Sequence, residues 1–260
     1  MRILCIGDVV SIDGAQFVMR TLPRLKAELK PDCVIINGEN SALYNGIDKQ
    51  SYEMLLSAGA DIITGGNHSF QKPTAPDLHD SAKRLVRPAN VTAFTSGVGE
   101  LTVDFGRFSL RVINLSGTLY MNEPCENPFE YALRAISRET NAVTVVDFHA
   151  EATSEKRAMG FLLDGKVSLV FGTHTHVQTN DAQILKGGTG YITDLGMTGV
   201  KHSVLGKDTS VCVHNFLYPN DRQKIKDAAG DYILSGIVAD IDLVTKKCTS
   251  ITTINIDNLK

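Results

Sequence analysis

The sequence carries two histidines one residue apart in Gly172-Thr173-His174-Thr175-His176, directly after the apolar run Val167 to Phe171. Alternate positions at a strand end send both imidazoles to the same side. That geometry suits a metal, because imidazole is a good ligand for zinc, iron, manganese and their neighbours. Two histidines are an incomplete ligand set, so the chemistry depends on donors at other strand ends. Such donors recur along the chain. The apolar run Ile3 to Gly7 leads into Asp8, and Cys33 to Asn37 leads into Gly38-Glu39-Asn40. Ile62 to Thr64 leads into Gly65-Gly66-Asn67-His68, and Ala142 to Phe148 into His149. Taken singly, each has a plainer reading: Asp8 as a helix cap, Asn40 and Asn67 as turn residues, His149 as a core histidine.

The elements that must position these residues follow from the hydrophobic pattern. Strand, helix, strand, helix, strand is the rhythm of the first third, which predicts a parallel sheet. Its first helix spans about Gln16 to Leu29, with Val18, Leu22, Leu25 and Leu29 on one face. Pro23 is expected to kink or restart that helix, and Asp48 to cap the next. Gly106-Arg107 marks a hairpin between Leu101–Phe105 and Phe108–Leu115, and a helix is expected near Phe129 to Ser137. The last fifty residues read as all-β: Val211 to Leu217, Ile233 to Leu243 and Cys248 to Ile256. No repeat or linker is visible, so residues 1–260 read as one domain. In an open α/β sheet, ligands collect outside the carboxyl ends of the strands, which is where the donors stand.

Composition narrows the partners. The chain is 43% hydrophobic and 21% charged, ordinary for a soluble globular protein, and its net charge of −3 gives no electrostatic case for duplex nucleic acid. Its five cysteines are odd in number and scattered, which predicts a reduced, cytoplasmic setting. Met1 to Ile6 is too short an apolar segment for a signal peptide, and no run approaches the roughly 18–20 residues of a membrane helix.

The order Asp, Glu-Asn, Asn-His, His, His-x-His resembles the calcineurin-like metallophosphoesterase superfamily, and within it the YmdB-like bacterial phosphodiesterases. The resemblance rests on Met1-Arg2-Ile3-Leu4 with Gly7-Asp8-Val9-Val10, Ile36-Asn37-Gly38-Glu39-Asn40, Gly66-Asn67-His68 and Leu85 to Asn90. It continues through Asp147 to Lys156, Gly172 to Thr179, Thr193-Asp194 and Gly196-Met197-Thr198-Gly199. It implies an αββα sandwich of two mixed sheets flanked by helices. It also implies two metal ions bridged by Glu39. One would take Asp8, Glu39, Asn40 and His176; the other would take Glu39, Asn67, His149 and His174. Much of the superfamily has a histidine two residues after the first aspartate, where this chain has Val10, and bridges with aspartate rather than glutamate. Both departures agree with the YmdB-like branch. Ser69-Phe70-Gln71-Lys72 stands where Thr-Trp-Asp-Lys is expected, which bears on substrate contacts.

The chemistry so implied is phosphodiester hydrolysis. Two metals about 3.5–4 Å apart can share a hydroxide and clamp the phosphoryl group, with His68 as general acid. The mixed ligands favour iron or manganese, with zinc as an alternative. The substrates implied are cyclic nucleotides, above all 2′,3′-cyclic nucleoside monophosphates. Homo-oligomers are common among similar proteins. Asp147 and Asp194 either orient ligand histidines or cap strand ends. Glu151 and Glu155 are expected at the start of a helix capped by Thr153, while His79, His202 and His214 are expected to be structural or on the surface. Phe70 and Tyr120 could stack on a base or be buried. Two rivals stand beside this reading. A metal-dependent amidohydrolase is disfavoured because its His-x-His pair comes early in the chain. A metal-binding regulatory protein with weak phosphatase or phosphodiesterase activity would act through partner binding.

Overall fold

The computed structural model describes residues 1–138 and 140–257. In chain order its first elements are β1 (Arg2–Ile6), β2 (Asp8–Val9), α1 (Ser11–Leu29), β3 (Cys33–Asn37), α2 (Lys49–Ala58), β4 (Ile62–Thr64), α3 (Ala75–Ser81) and β5 (Leu85–Val86). Then come β6 (Glu100–Asp104), β7 (Ser109–Ser116), α4 (Pro128–Ile136), β8 (Val143–His149), α5 (Thr153–Leu163) and β9 (Leu169–Thr173). The chain continues with β10 (Gln183–Ile184), β11 (Gly190–Ile192), β12 (Met197–Val200), α6 (Thr209–Leu217), β13 (Tyr232–Ile241) and β14 (Cys248–Asp257).

Two mixed sheets result. The eight-stranded sheet runs β2-β12-β13-β1-β3-β4-β5, with β14 on β13, and the six-stranded sheet runs β10-β11-β9-β8-β7-β6. Strands β1, β3, β4 and β5 are parallel, and so are β7, β8, β9 and β11. Alternation along each central strand divides three cores. Ile3 and Cys5 of β1 face the second sheet and meet Val112, Val145, Leu169 and Phe171 between the layers. Leu4 and Ile6 face the other way, against Val18, Leu22 and Leu25 of α1 and Leu55 of α2. Val146 and Phe148 of β8 pack on Ala132, Ala135, Met159 and Leu163 of α4 and α5. Strands buried on both faces read as continuous apolar runs, which is how the sequence displays them. This is the expected αββα sandwich. Among the described residues no helix is long and apolar enough to cross a membrane.

Three expectations need correction. Pro23 does not restart α1, which runs as one helix from Ser11 to Leu29. Its ring is on the exposed side of the helix. The carbonyl it leaves unpaired belongs to Met19, 39% exposed, so water can replace the missing bond. The segment Val211 to Leu217 is helical, not a strand. The Asp208 carboxylate accepts the Val211 N–H at 3.1 Å as an N-cap, and Val211, Cys212 and Asn215 turn inward at helical spacing. The β-branched composition pointed the other way because packing, not propensity, decides such short runs. Helix α1 also begins at Ser11 rather than near Gln16, while the other boundaries agree within about two residues. Asp48 caps α2 with Ser51 in a reciprocal capping box, and β6 pairs antiparallel with β7 across the Gly106 turn.

Candidate metal centre

The parallel strands of both sheets point their carboxyl ends at one edge of the sandwich, and the anticipated donors meet there. Asp8 follows β1, and its backbone N–H donates to the Gly196 carbonyl at 3.0 Å. Glu39 and Asn40 occupy the turn after β3, where the Glu39 N–H donates to Asn37 Oδ1 at 3.1 Å. Asn67 and His68 occupy the turn after β4. His149 ends β8, and His174 and His176 follow β9.

The side chains form two groups sharing Glu39. In one, ligand atoms of Asp8, Glu39 and His176 lie within 4.8 Å of one another. The Asn40 amide contacts Glu39 Oε1 and stands 3.4 Å from His176 Nε2. In the other, Asn67 Oδ1 lies 2.8 Å from His149 Nε2 and 3.2 Å from His174 Nδ1. The two ring nitrogens are 3.1 Å apart, and Glu39 Oε2 is 3.5 Å from His149 Nε2. Gly66 admits this convergence: a Cβ there would lie 2.4 Å from His149 Nε2 and 2.6 Å from Glu39 Oε2.

Each imidazole is held from behind by its other nitrogen, which fixes the atom it presents. His149 Nδ1 meets Thr173 Oγ1 at 2.9 Å, and that hydroxyl donates to Asp147 Oδ1 at 2.7 Å. The Thr173 proton is thus spent on Asp147, so His149 carries its own proton on Nδ1 and leaves Nε2 bare. His176 Nδ1 faces the Leu205 carbonyl at 3.2 Å, which likewise leaves Nε2 bare. His174 is reversed: its Nε2 lies 3.1 Å from Glu151 Oε2, and Nδ1 faces inward. The two histidines of the pair therefore offer different atoms. His174 has φ 102° and His176 φ 65°. Left-handed backbone at residues other than glycine stores strain of about 1–3 kcal/mol each, typical of functional sites.

The electrostatics of these residues fit a bound cation. Asp8 and Glu39 are buried, and Asp8 Oδ1 and Asn40 Oδ1 accept no hydrogen bond although both are buried. Burial and the nearby Asp194 carboxylate push the Asp8 carboxyl up to about 7. Burial and Asp8 push Glu39 well above the carboxylate range. Burial, with repulsion from neighbouring cationic groups, holds His68 and His174 down to about 4 and His149 well below the ordinary range. Such a site penalises the charged form of both kinds of group, and a divalent ion reverses the penalty on the carboxylates while using the bare imidazole nitrogens. Mixed imidazole, carboxylate and amide donors fit a transition metal.

A family model described as YmdB-like protein matches residues 4–254. The chain belongs to the YmdB-like family. It is 45% identical over 260 residues to the 2′,3′-cyclic-nucleotide 2′-phosphodiesterase of Bacillus subtilis (strain 168), covering 99% of this chain and 98% of that protein. It superposes on the crystal structure of a novel phosphatase from Mycoplasma pneumoniae with TM-score 0.92 and 35% identity, covering 99% of this chain and 93% of that one. A hypothetical protein from Thermus thermophilus matches with TM-score 0.91 and 36% identity over 99% of both chains. This YmdB-like chain is accordingly a phosphoesterase with the metallophosphoesterase fold.

Other sequence expectations fared unevenly. Asp147 accepts from Thr64, Thr173 and Asn37 behind His149, and Asp194 accepts the Thr175 N–H at 3.2 Å. Both support the histidine segments rather than merely capping strands. Thr153 is the first helical residue of α5 and not its cap, which is Ala152. Glu155, nearly buried, turns away from the helix end and accepts from the Thr118 N–H and hydroxyl at 2.9 and 2.8 Å. Phe70 is sandwiched between His79, at 4.5 Å, and Phe94, at 4.1 Å between centroids, so both its faces are taken. Tyr120 is 86% exposed. His79 is buried, His202 is exposed and His214 faces the Asp221 carbonyl at 2.9 Å. Sequence reasoning did not place Glu151 against His174, and it did not single out Lys156. The signal for Lys156 was present: it shares the 156, 159, 160, 163 stripe of buried α5 residues with Met159, Gly160 and Leu163.

Proposed function

We propose that this phosphoesterase is a dinuclear metal-dependent phosphodiesterase acting on cyclic nucleotides, with 2′,3′-cyclic nucleoside monophosphates as its substrates. The observation that carries this reading is the division of Glu39: Oε1 faces Asn40 and Oε2 faces His149, each beside a separate donor group. Asp8, Glu39, Asn40 and His176 would hold one metal, and Glu39, Asn67, His149 and His174 the other. When bound, the two ions supply Lewis-acid chemistry, acidifying water and neutralising phosphoryl charge. The donor chemistry favours iron or manganese, with zinc as an alternative.

This chain's own residues do the rest. Two dications against the ionised Asp8 and Glu39 leave the site positive, which draws a phosphodiester monoanion. His68 is held at the site edge by its backbone N–H, which donates to Glu39 Oε2 at 2.8 Å. Water oxygen bonds to phosphorus and releases one proton to solvent as the ester P–O bond breaks, and the departing ribose oxygen takes a proton from the protonated His68 imidazole. In the metal-free protein burial lowers the His68 conjugate acid to about 4, so the ring there is neutral at neutral pH. The bound anion is the charge that draws a proton onto it. The substrate class rests on the Bacillus subtilis relative and on the charge argument together. A small nucleotide substrate, a cytoplasmic setting, a homo-oligomer and a single domain over residues 1–260 belong to the same proposal.

The test is a substrate panel of 2′,3′-cyclic nucleotides, 3′,5′-cyclic nucleotides, phosphomonoesters and short RNA with metal-reconstituted protein. Fastest turnover on the 2′,3′-cyclic nucleotides, with one ester bond opened, is expected. Preference for monoesters would overturn the substrate assignment.

A further inference from the structure

Lys156 is a lysine with 1% of its surface exposed, in the interior of a molecule whose other described lysines reach solvent. It projects from α5, and its Nζ donates to Asp194 Oδ2 at 2.6 Å, a pair buried on both sides. The route is narrow. A Cβ on Gly172 would lie 3.0 Å from the Lys156 Cδ and 1.9 Å from the Thr193 carbonyl oxygen. Glycine is therefore required two residues before His174 by the Thr193 backbone, and the lysine stem packs against the same spot.

Asp194 distributes its remaining contacts around the metal centre. Oδ2 also accepts the N–H of Thr175, the residue between the two histidines, at 3.2 Å. Oδ1 accepts the Gly196 N–H at 2.8 Å, and the Gly196 carbonyl in turn accepts the Asp8 N–H at 3.0 Å. One carboxylate thus ties the His174–Thr175–His176 turn to the backbone of Asp8. A turn with two left-handed, non-glycine residues persists only where its surroundings over-determine it. A lone carboxylate in this position would be costly to bury; the ammonium makes it tenable.

We propose that Lys156 is a positioning residue of the metal centre: by holding Asp194 in place, it fixes the turn that sends His174 and His176 to different metals. This rests on the two-metal reading above. Loss of Lys156 should therefore weaken metal binding without touching a ligand, on the roughly 10- to 100-fold scale seen when the partners behind metal ligands are removed.

The experiment is calorimetric titration of metal-free protein with Co2+ alone, comparing wild type, Lys156→Met and the double variant Lys156→Met/Asp194→Asn. The single variant leaves a buried carboxylate unpaired and can fail to fold. The double variant removes both charges, keeps an amide oxygen at position 194, and is the deciding protein. It is expected to melt cooperatively with wild-type secondary structure while binding Co2+ about tenfold or more weakly and with an altered cobalt absorption spectrum. Wild-type affinity and spectrum in the double variant, or in a folded single variant, would overturn the role of Lys156. Failure of the double variant to fold would make the pair a folding element and overturn it equally. Uptake of fewer than two Co2+ by wild type would overturn the two-metal reading itself.

Discussion

The carboxylate of Glu151 stands 3.1 Å from Nε2 of His174, on the far side of the ring from the donors Asn67 and His149. This contact determines that His174 offers Nδ1, while His149 and His176 offer Nε2. Removing the carboxylate frees the ring to choose either tautomer and to rotate. Glu151→Ala is expected to lower metal affinity by about tenfold or more, with Glu151→Gln closer to wild type because an amide oxygen can still accept. Metal titration of the metal-free variants reads this directly, and equal affinity in all three proteins would mean that Glu151 does not orient the ring.

Gly66 offers a steric probe of the same region. A methyl at this position overlaps His149 Nε2 at 2.4 Å and Glu39 Oε2 at 2.6 Å, and neither is the loose end of an exposed chain. Gly66→Ala is expected to displace both groups, lower the metal content measured by elemental analysis, and abolish most turnover. Wild-type metal content would mean that the two side chains yield without consequence.

Metal-free protein should show a stability maximum at roughly pH 6.5, set by two opposed sets of groups. Asp8 and Asp147 are raised in the fold to about 7 from the ordinary 3.8. Their contribution is complete below 3.8 and is lost as pH rises through 7. His68, His79 and His174 are lowered to about 4 from 6.5. Theirs is present above 6.5 and is lost as pH falls toward 4. With His149 and His176 also lowered, the histidines dominate the acid side and the carboxyls the alkaline side. Calorimetric melting with chelator should trace this dome, and divalent metal should flatten its alkaline side by favouring ionised Asp8 and Glu39. A melting temperature that rises steadily from about pH 6.5 to about pH 8 in chelator would contradict the assignment.

His68 is the residue assigned to chemistry without a ligand role. His68→Ala is expected to retain both metals and to lose about 10²-fold or more in turnover. Metal content and kcat measured on the same preparation separate this from a ligand: loss of metal would reassign His68, and unchanged kcat would dismiss it.

The site was legible in sequence because its donors sit in short turns beside glycines at the ends of apolar strands, and strand direction does the assembling. Asp8, Asn67 and His149 needed only a parallel sheet in each layer to be placed together. What was not legible depends on geometry that no local pattern encodes. The Glu151 contact falls on His174, whose backbone adopts φ 102°, and the role of Asp194 needs Lys156 from another element to neutralise it. Helix α6 was misread for a different reason. Val211, Cys212 and Val213 suit a strand by composition, and only the Asp208 cap and the inward-facing Asn215, which exchanges hydrogen bonds with Gln223, settle the helix.

The central claim, two cooperating metals on one phosphodiester, is tested most directly by titrating metal-free protein with Mn2+ while following 2′,3′-cyclic AMP hydrolysis. Two cooperating ions predict negligible turnover without metal and a rise that completes at two equivalents per chain. Full turnover in the presence of chelator, or saturation at one equivalent, would contradict the claim.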